Sequence, residues 1–413
     1  MHLWLISAFE PTPIDNTRPM RFMNIANTAI KRGHTVTFFS TTFKHGKKAH
    51  QFPQNTYKTI EKDKYELVLI HSKPYKKNIS FERISAHYDL SNKLLAEVKT
   101  IAKKPDLIYI SLPPLSTVDA ICKWGKQNGV PVIVDIIDPW PDVFLKVFPP
   151  AIRKLVQIPL NPFYRKLKRI MNSASGLTAI SEQYVQWAKS FTNKHIDAAF
   201  FYPAVPLKEI TEGIGAVSLK HQKNPNKLRI IYTGSLASSY DIPCILEAAK
   251  LMEVNYPGKT EFVLAGAGPQ EKLITESGLK NVIFLGWIGQ EEMYLQFYLS
   301  DLGLTQHVKG ATQSVTYKLF DYLSAGLPIL NSLESEMAAI IENNKVGFNN
   351  SCSDAAGLAK NIEYFLLDAS LLAEYKKNAI AVTQSLGDSE VVYSRLLDFV
   401  EMVKSKSEET KVA

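Results

Sequence analysis

The sequence predicts an α/β protein built from two doubly wound, Rossmann-like domains facing each other across a cleft. Three observations predict it. Short apolar runs alternate with longer helical patterns, and the alternation restarts after a polar interval. The chain has 413 residues, more than the roughly 250–300 that one hydrophobic core serves.

In the first half the strand-like runs are His2 to Ala8, Thr35 to Ser40, Glu66 to Ile70, Asp106 to Ser111, Pro131 to Ile137 and Leu177 to Ser181. The first unit is the clearest: a strand, a polar loop from Phe9 to Pro19, a helix from about Met20 to Arg32, a Gly33 stop and a second strand. Lys208 to Lys227, with Gly213, Gly215 and a Lys/Asn/Pro cluster, reads as a linker. Strands follow at Leu228 to Thr233, Glu261 to Ala265, Asn281 to Leu285, Asp301 to Thr305 and Pro328 to Leu330. The expected division is therefore 1–207, a linker 208–227, 228–388, a helix 389–405 that crosses back to the first domain, and a flexible tail 406–413. Ligands of open α/β sheets bind outside the carboxyl ends of the strands, so function belongs in those βα loops.

Apolar residues make up 46% and charged residues 21%, a balance that excludes disordered and membrane-spanning classes. No apolar run approaches the roughly 20 residues of a spanning helix, and the start lacks the basic segment of a secretory signal. Cys122, Cys244 and Cys352 fit neither a metal cluster nor a disulfide framework, which makes a cytoplasmic setting the default. The net charge of +8 is uneven: residues 1–205 hold 29 Lys+Arg against 15 Asp+Glu, a net +14, leaving −6 for the rest.

The most informative segment runs from Ser314 to Leu330. It reads as an N-cap at Ser314 or Thr316, about three turns of helix, a Gly326 stop and a short buried strand. Unpaired N–H groups and the positive end of the helix dipole, around Ser314, Val315 and Thr316, suit a diphosphate. Lys318 adds a point charge in the first turn, and Asp321 lies near the same face, where it can accept from ribose hydroxyls.

This segment resembles the "P-x-K-L-F-D/E-Y-x-A-x-G-x-P" signature of retaining family 4 glycosyltransferases, which have the two-domain GT-B architecture. Ile230-Ile-Tyr-Thr-Gly-Ser-Leu236 resembles the opening strand and loop of the family's donor domain, Phe262 to Pro269 its glycine loop, and Val282 to Trp287 the strand and turn that face the nucleobase. Upstream, Ala26 to Val36 resembles the first helix and "GH-x-V" strand of the acceptor domain, and Asp138-Pro-Trp-Pro141 a "D-x-W-P" loop.

The resemblance implies retaining transfer of a hexose or N-acetylhexosamine from a nucleotide sugar to a lipid-linked or glycan acceptor, in cell-envelope polysaccharide synthesis. It implies donor contacts at Gly234, Ser235, Gly266, Gly268 and Trp287, and catalytic roles for Asp138, Lys318 and Gln313. The family's Glu-x7-Glu pair falls here on Gln313 and Asp321, and its Arg/Lys pair on Ser235 and Tyr240. Diphosphate charge then falls on Lys318 and the helix end, or on Arg18 or Arg21. Glu10, Asn16, Arg18 and Arg21, around the first βα loop, are acceptor-side candidates. Such transfer needs no triad, no cofactor and no metal, since positioning and electrostatic stabilisation carry it. A sugar-nucleotide 2-epimerase of the same architecture and a non-catalytic nucleotide-sugar-binding paralogue are the alternatives.

Between Asp142 and Glu182 there is no acidic residue, while Lys146, Arg153, Lys154, Arg165, Lys166, Lys168 and Arg169 are interleaved with large apolar side chains. That mixture fits an anionic membrane surface and peripheral association with the inner face of the cell membrane. Nucleic acid is not an expected partner, because no reader motif is present.

Overall fold

The computed structural model describes residues 1–15, 17–146 and 148–412. They form two compact units, Met1–Phe201 with Tyr393–Ala413, and Tyr202–Val392.

The strands of the first unit are β1 His2–Ile6, β2 Thr35–Thr41, β3 Phe43–Lys44, β4 Ala49–His50, β5 Thr56–Glu61, β6 Tyr65–Ile70, β7 Leu107–Leu112, β8 Val132–Ile136, β9 Gly176–Ala179 and β10 Ala198–Phe200. Eight of them make one sheet in the order β10-β9-β8-β7-β1-β2-β6-β5, parallel except at the β5–β6 edge; β3 and β4 pair as a separate hairpin. Sequence periodicity misses β5 because it has no buried face. Five of its six residues are exposed, so neither alternation nor an apolar run marks it.

The second unit has β11 Leu228–Thr233, β12 Thr260–Ala265, β13 Val282–Gly286, β14 Leu302–Thr305, β15 Ile329–Asn331 and β16 Gly347–Asn349. Their order is β13-β12-β11-β14-β15-β16, all parallel, which numbers as the 3-2-1-4-5-6 order of doubly wound nucleotide-binding sheets. The order reverses between β11 and β14, so the crevice for a ligand lies at their carboxyl ends. Alternation along β11 explains why the sheet forms: Leu228, Ile230 and Tyr232 enter one core and Ile231 the other.

Two boundaries differ from the sequence expectation. Much of the expected linker is a helix, Leu207–Ser218, with Ile210 and Val217 buried in the second unit's core. Gly213 lets it approach the Tyr294 ring, which lies 2.3 Å from where a Cβ would stand. The last helix runs Ser389–Val412, well past the expected end, and from Tyr393 onward it belongs to the first unit. Val392, Tyr393, Leu396, Leu397, Val400 and Val403 are buried along one stripe of it, which is why it continues. Among the described residues no helix is long and apolar enough to cross a membrane.

Candidate functional site

In the second unit, the loop after β11 and the helix Tyr317–Ser324 come together at the sheet's switch point. The Lys318 ammonium stands 2.7 Å from where Gly234 would carry a Cβ, and the Gly234 backbone, at φ +126°, is one that favours glycine. It lies 4.1 Å from the Tyr240 ring centroid and 5.3 Å from that of Tyr232. Thr316 is the N-cap residue, but its hydroxyl turns to the Met337 sulfur and no side chain caps the helix. The positive end of the helix and a lysine therefore meet beside an exposed glycine loop.

The other donor candidates fall around this point in two ways. Gly266 and Gly268 hold the second loop against the first: a Cβ on Gly266 would lie 1.7 Å from the Gly234 carbonyl oxygen, and one on Gly268 would lie 2.8 Å from that of Leu236. Ser235 is exposed in the first loop, and Trp287, just after β13, is 78% exposed. Val315 is packed in the core, whereas the buried Ser314 Oγ and Gln313 Oε1 have no hydrogen-bond partner. Unpaired buried polar atoms are uncommon and call for a ligand or water. Asp321 lies one turn along the helix from Lys318, half-buried.

His307, after β14, completes the group. Its Nδ1 hydrogen-bonds the Thr305 carbonyl at 3.0 Å, its ring lies 4.9 Å from Tyr240, and its buried Nε2 has no partner. Since a carbonyl only accepts, Nδ1 carries the proton and Nε2 presents a lone pair. Burial, with Lys318 acting in the same direction, pushes this imidazole down to about 4, so it is neutral at pH 7. No motif marks His307, so the sequence leaves its role undecided; its one signal is its place after a buried strand.

In the first unit Arg21 is not an exposed cation. Its Nε and Nη2 hydrogen-bond Asp135 at 2.7 and 2.8 Å, and Nη1 donates to the Phe201 carbonyl at 2.7 Å. Both side chains are sealed, so the pair ties the helix Arg21–Lys31 to the centre of β8 and Arg21 is a core residue. Glu10 is likewise engaged: Oε2 accepts from Phe22 N–H at 2.8 Å at the start of that helix, and burial pushes the carboxyl up to about 7. Arg18 is half-buried in the same loop, and Asn16 lies outside the described residues.

Asp138 follows β8, solvent-facing at its edge but crowded enough that burial pushes its carboxyl up to about 6, with nearby Arg83 opposing. The Arg83 guanidinium stacks 4.7 Å from the Trp140 ring, in the same "D-x-W-P" loop. A lone arginine on a helix, here Phe81–Thr100, has no sequence signature, so nothing in the sequence marks Arg83.

The basic segment forms the helix Arg153–Ser173, and its cations divide. Arg169 is bound bidentately by Asp119 at 2.7 and 2.9 Å, Lys166 donates to the Tyr88 hydroxyl at 3.0 Å, and Arg153 to the Phe148 carbonyl at 2.9 Å. Lys154, Arg165 and Lys168 are exposed, together with Leu155 and Ile158 at 70% and 62%. The Lys146 side chain lies outside the described residues.

Residues 217–382 match the family model "Glycosyl transferases group 1". The glycine loops and Lys318 all lie within this matched segment. A comparison with curated protein sequences finds no significant match. Among solved structures, sucrose-phosphate synthase of Thermosynechococcus elongatus is similar at 14% identity over 98% of this chain and 99% of that one, with a TM-score of 0.71. HepE of Anabaena in complex with UDP is similar at 14% identity, over 97% and 99%, with a TM-score of 0.65. WaaG, a glycosyltransferase involved in lipopolysaccharide biosynthesis, is similar at 14% identity, over 96% and 99%, with a TM-score of 0.65. The fold is thus that of GT-B glycosyltransferases, with two Rossmann-like domains.

Proposed function

We propose that this protein transfers a hexose or N-acetylhexosamine from a nucleotide sugar, with retention of configuration, to a lipid-linked or glycan acceptor in cell-envelope polysaccharide synthesis. One observation carries the reading: the Lys318 ammonium at Gly234, beside an uncapped helix end. Charge develops on the diphosphate as the sugar–phosphate bond breaks. A fixed cation and backbone N–H groups stabilise that charge more than the ground state. The structural relative HepE binds UDP, which supports a uridine diphosphate donor. Trp287 offers a face for the base. Gln313 Oε1 and His307 Nε2 supply acceptors for hydroxyls of the donor.

The first unit then recognises the acceptor, with Asp138 at the reacting hydroxyl. Lys154, Arg165, Lys168, Leu155 and Ile158 rest on an anionic membrane surface at its cytoplasmic face. The experiment is a screen of nucleotide sugars by thermal melting, followed by incubation with the donor alone. A UDP-sugar raises the melting point and remains chemically unchanged until an acceptor is added. Conversion of the donor to an isomer without acceptor assigns an epimerase instead, and binding without turnover on any lipid-linked or glycan acceptor assigns a non-catalytic paralogue.

A further inference from the structure

Beside the "D-x-W-P" loop, wholly within the first unit, lies a pocket of about 260 Å³. That is close to the lower bound of about 300 Å³ for ordinary small-molecule sites. Helix Phe81–Thr100 supplies one wall and helix Arg153–Ser173 another. Leu115, Phe144, Phe148, Val156, Leu160 and Phe163 make its interior almost wholly apolar. Among the described residues its lining holds two cations, Arg83 and Lys166, and no carboxylate.

Two buried nitrogens at the polar end lack partners, although Arg83 Nη1 donates to the Asn78 carbonyl at 2.8 Å. His87 lines the pocket, is only 8% exposed, and its Nε2 has no hydrogen-bond partner. Arg83 stacks 5.4, 5.6 and 4.7 Å from the rings of Phe9, Tyr75 and Trp140, and its buried Nε is also unpartnered. Lys48 stands 4.8 Å from Tyr75. Apolar side chains reach the surface at the mouth: the lining residue Ile79 is 69% exposed and the neighbouring Phe81 90%. An apolar pocket with a cationic, hydrogen-bonding end and an apolar rim has the polarity of an amphiphile.

We infer that this pocket holds the hydrocarbon chain of a phosphate-bearing lipid, with its phosphate at Arg83 and His87. The inference rests on the lipid-linked acceptor reading and deepens it. The chain enters from the apolar rim, and the phosphate replaces the missing partners of the Arg83 and His87 nitrogens. Asp138, next to Arg83, then lies at the sugar end of the lipid.

The test is calorimetric titration of the full chain with decyl phosphate, butyl phosphate and inorganic phosphate, below micelle-forming concentrations. Each buried methylene contributes about fourfold in affinity, so decyl phosphate should bind at least tenfold more tightly than butyl phosphate. Inorganic phosphate should bind more weakly still. Val156→Trp, which fills the pocket, and Leu160→Asp, which makes it polar, should each lower decyl phosphate affinity at least tenfold; using two partly exposed positions guards against one failing to fold. Arg83→Met should weaken decyl phosphate more than decanol. Equal affinity for the two alkyl phosphates, or undiminished decyl phosphate binding in both pocket variants, overturns the proposal. The melting shift with UDP-glucose, read on the same samples, separates the two readings. If it persists without chain-length dependence the pocket proposal alone fails, and if it is missing while chain-length dependence persists the nucleotide reading alone fails.

Discussion

Removing one partner of the sealed Arg21–Asp135 pair leaves a buried charge without compensation. Asp135→Ala should therefore cost about 3–5 kcal/mol of stability in denaturant unfolding. Gly266 is as constrained by its backbone: at φ +153°, with a Cβ destined for the Gly234 oxygen, Gly266→Ala should cost on the order of 3 kcal/mol and misplace the first donor loop. His307 gives a pH signature. Burial holds it near 4, against 6.5 for an ordinary histidine, so below 6.5 the unfolded chain binds a proton that the folded chain refuses. Stability contributed by His307 is thus complete above about 6.5 and falls as pH drops toward 4. Between pH 6.5 and pH 5, unfolding of His307→Gln should lose about 2 kcal/mol less than unfolding of the native chain. Glu10 has the opposite sign: its carboxyl, pushed up to about 7, favours the folded state while protonated and opposes it as pH rises through 7. Glu10→Gln should accordingly be relatively more stable at pH 8 than at pH 5, measured against the native protein.

At the scale of elements, eleven strands follow from apolar runs and Gly/Pro punctuation, because central parallel strands are buried on both faces. β5 escapes that reasoning because it is exposed, and β3, β4, β10 and β16 because each has only two or three residues, too few for a periodic signal. The helix Leu207–Ser218 was hidden by Gly213 and Gly215, which weaken helix propensity but here serve contact with Tyr294 and an open face. The helix Arg153–Ser173 was visible as a run of charge, yet sequence does not tell which cations are paired. Lys154→Glu, Arg165→Glu and Lys168→Glu together should abolish salt-sensitive binding to anionic liposomes, at about 1 kcal/mol per residue, while Arg169→Glu should act mainly on stability, through the lost ion pair with Asp119. Sedimentation with anionic and neutral vesicles checks both.

At the scale of the whole molecule, two doubly wound topologies were legible because βα alternation restarts after residue 227, and the second sheet's strand order places its crevice at β11 and β14. The motif around Lys318 was also legible; its meeting with Gly234 and Tyr240, 84 and 78 positions earlier, was not, since only the fold joins them. The central claim is that this meeting point stabilises a diphosphate leaving group. The most direct measurement is the transfer rate and donor affinity of Lys318→Ala with the UDP-sugar that the native protein uses. A fall of about 10²-fold or more in kcat, with a smaller change in donor affinity, is the predicted result; an unchanged kcat would contradict it.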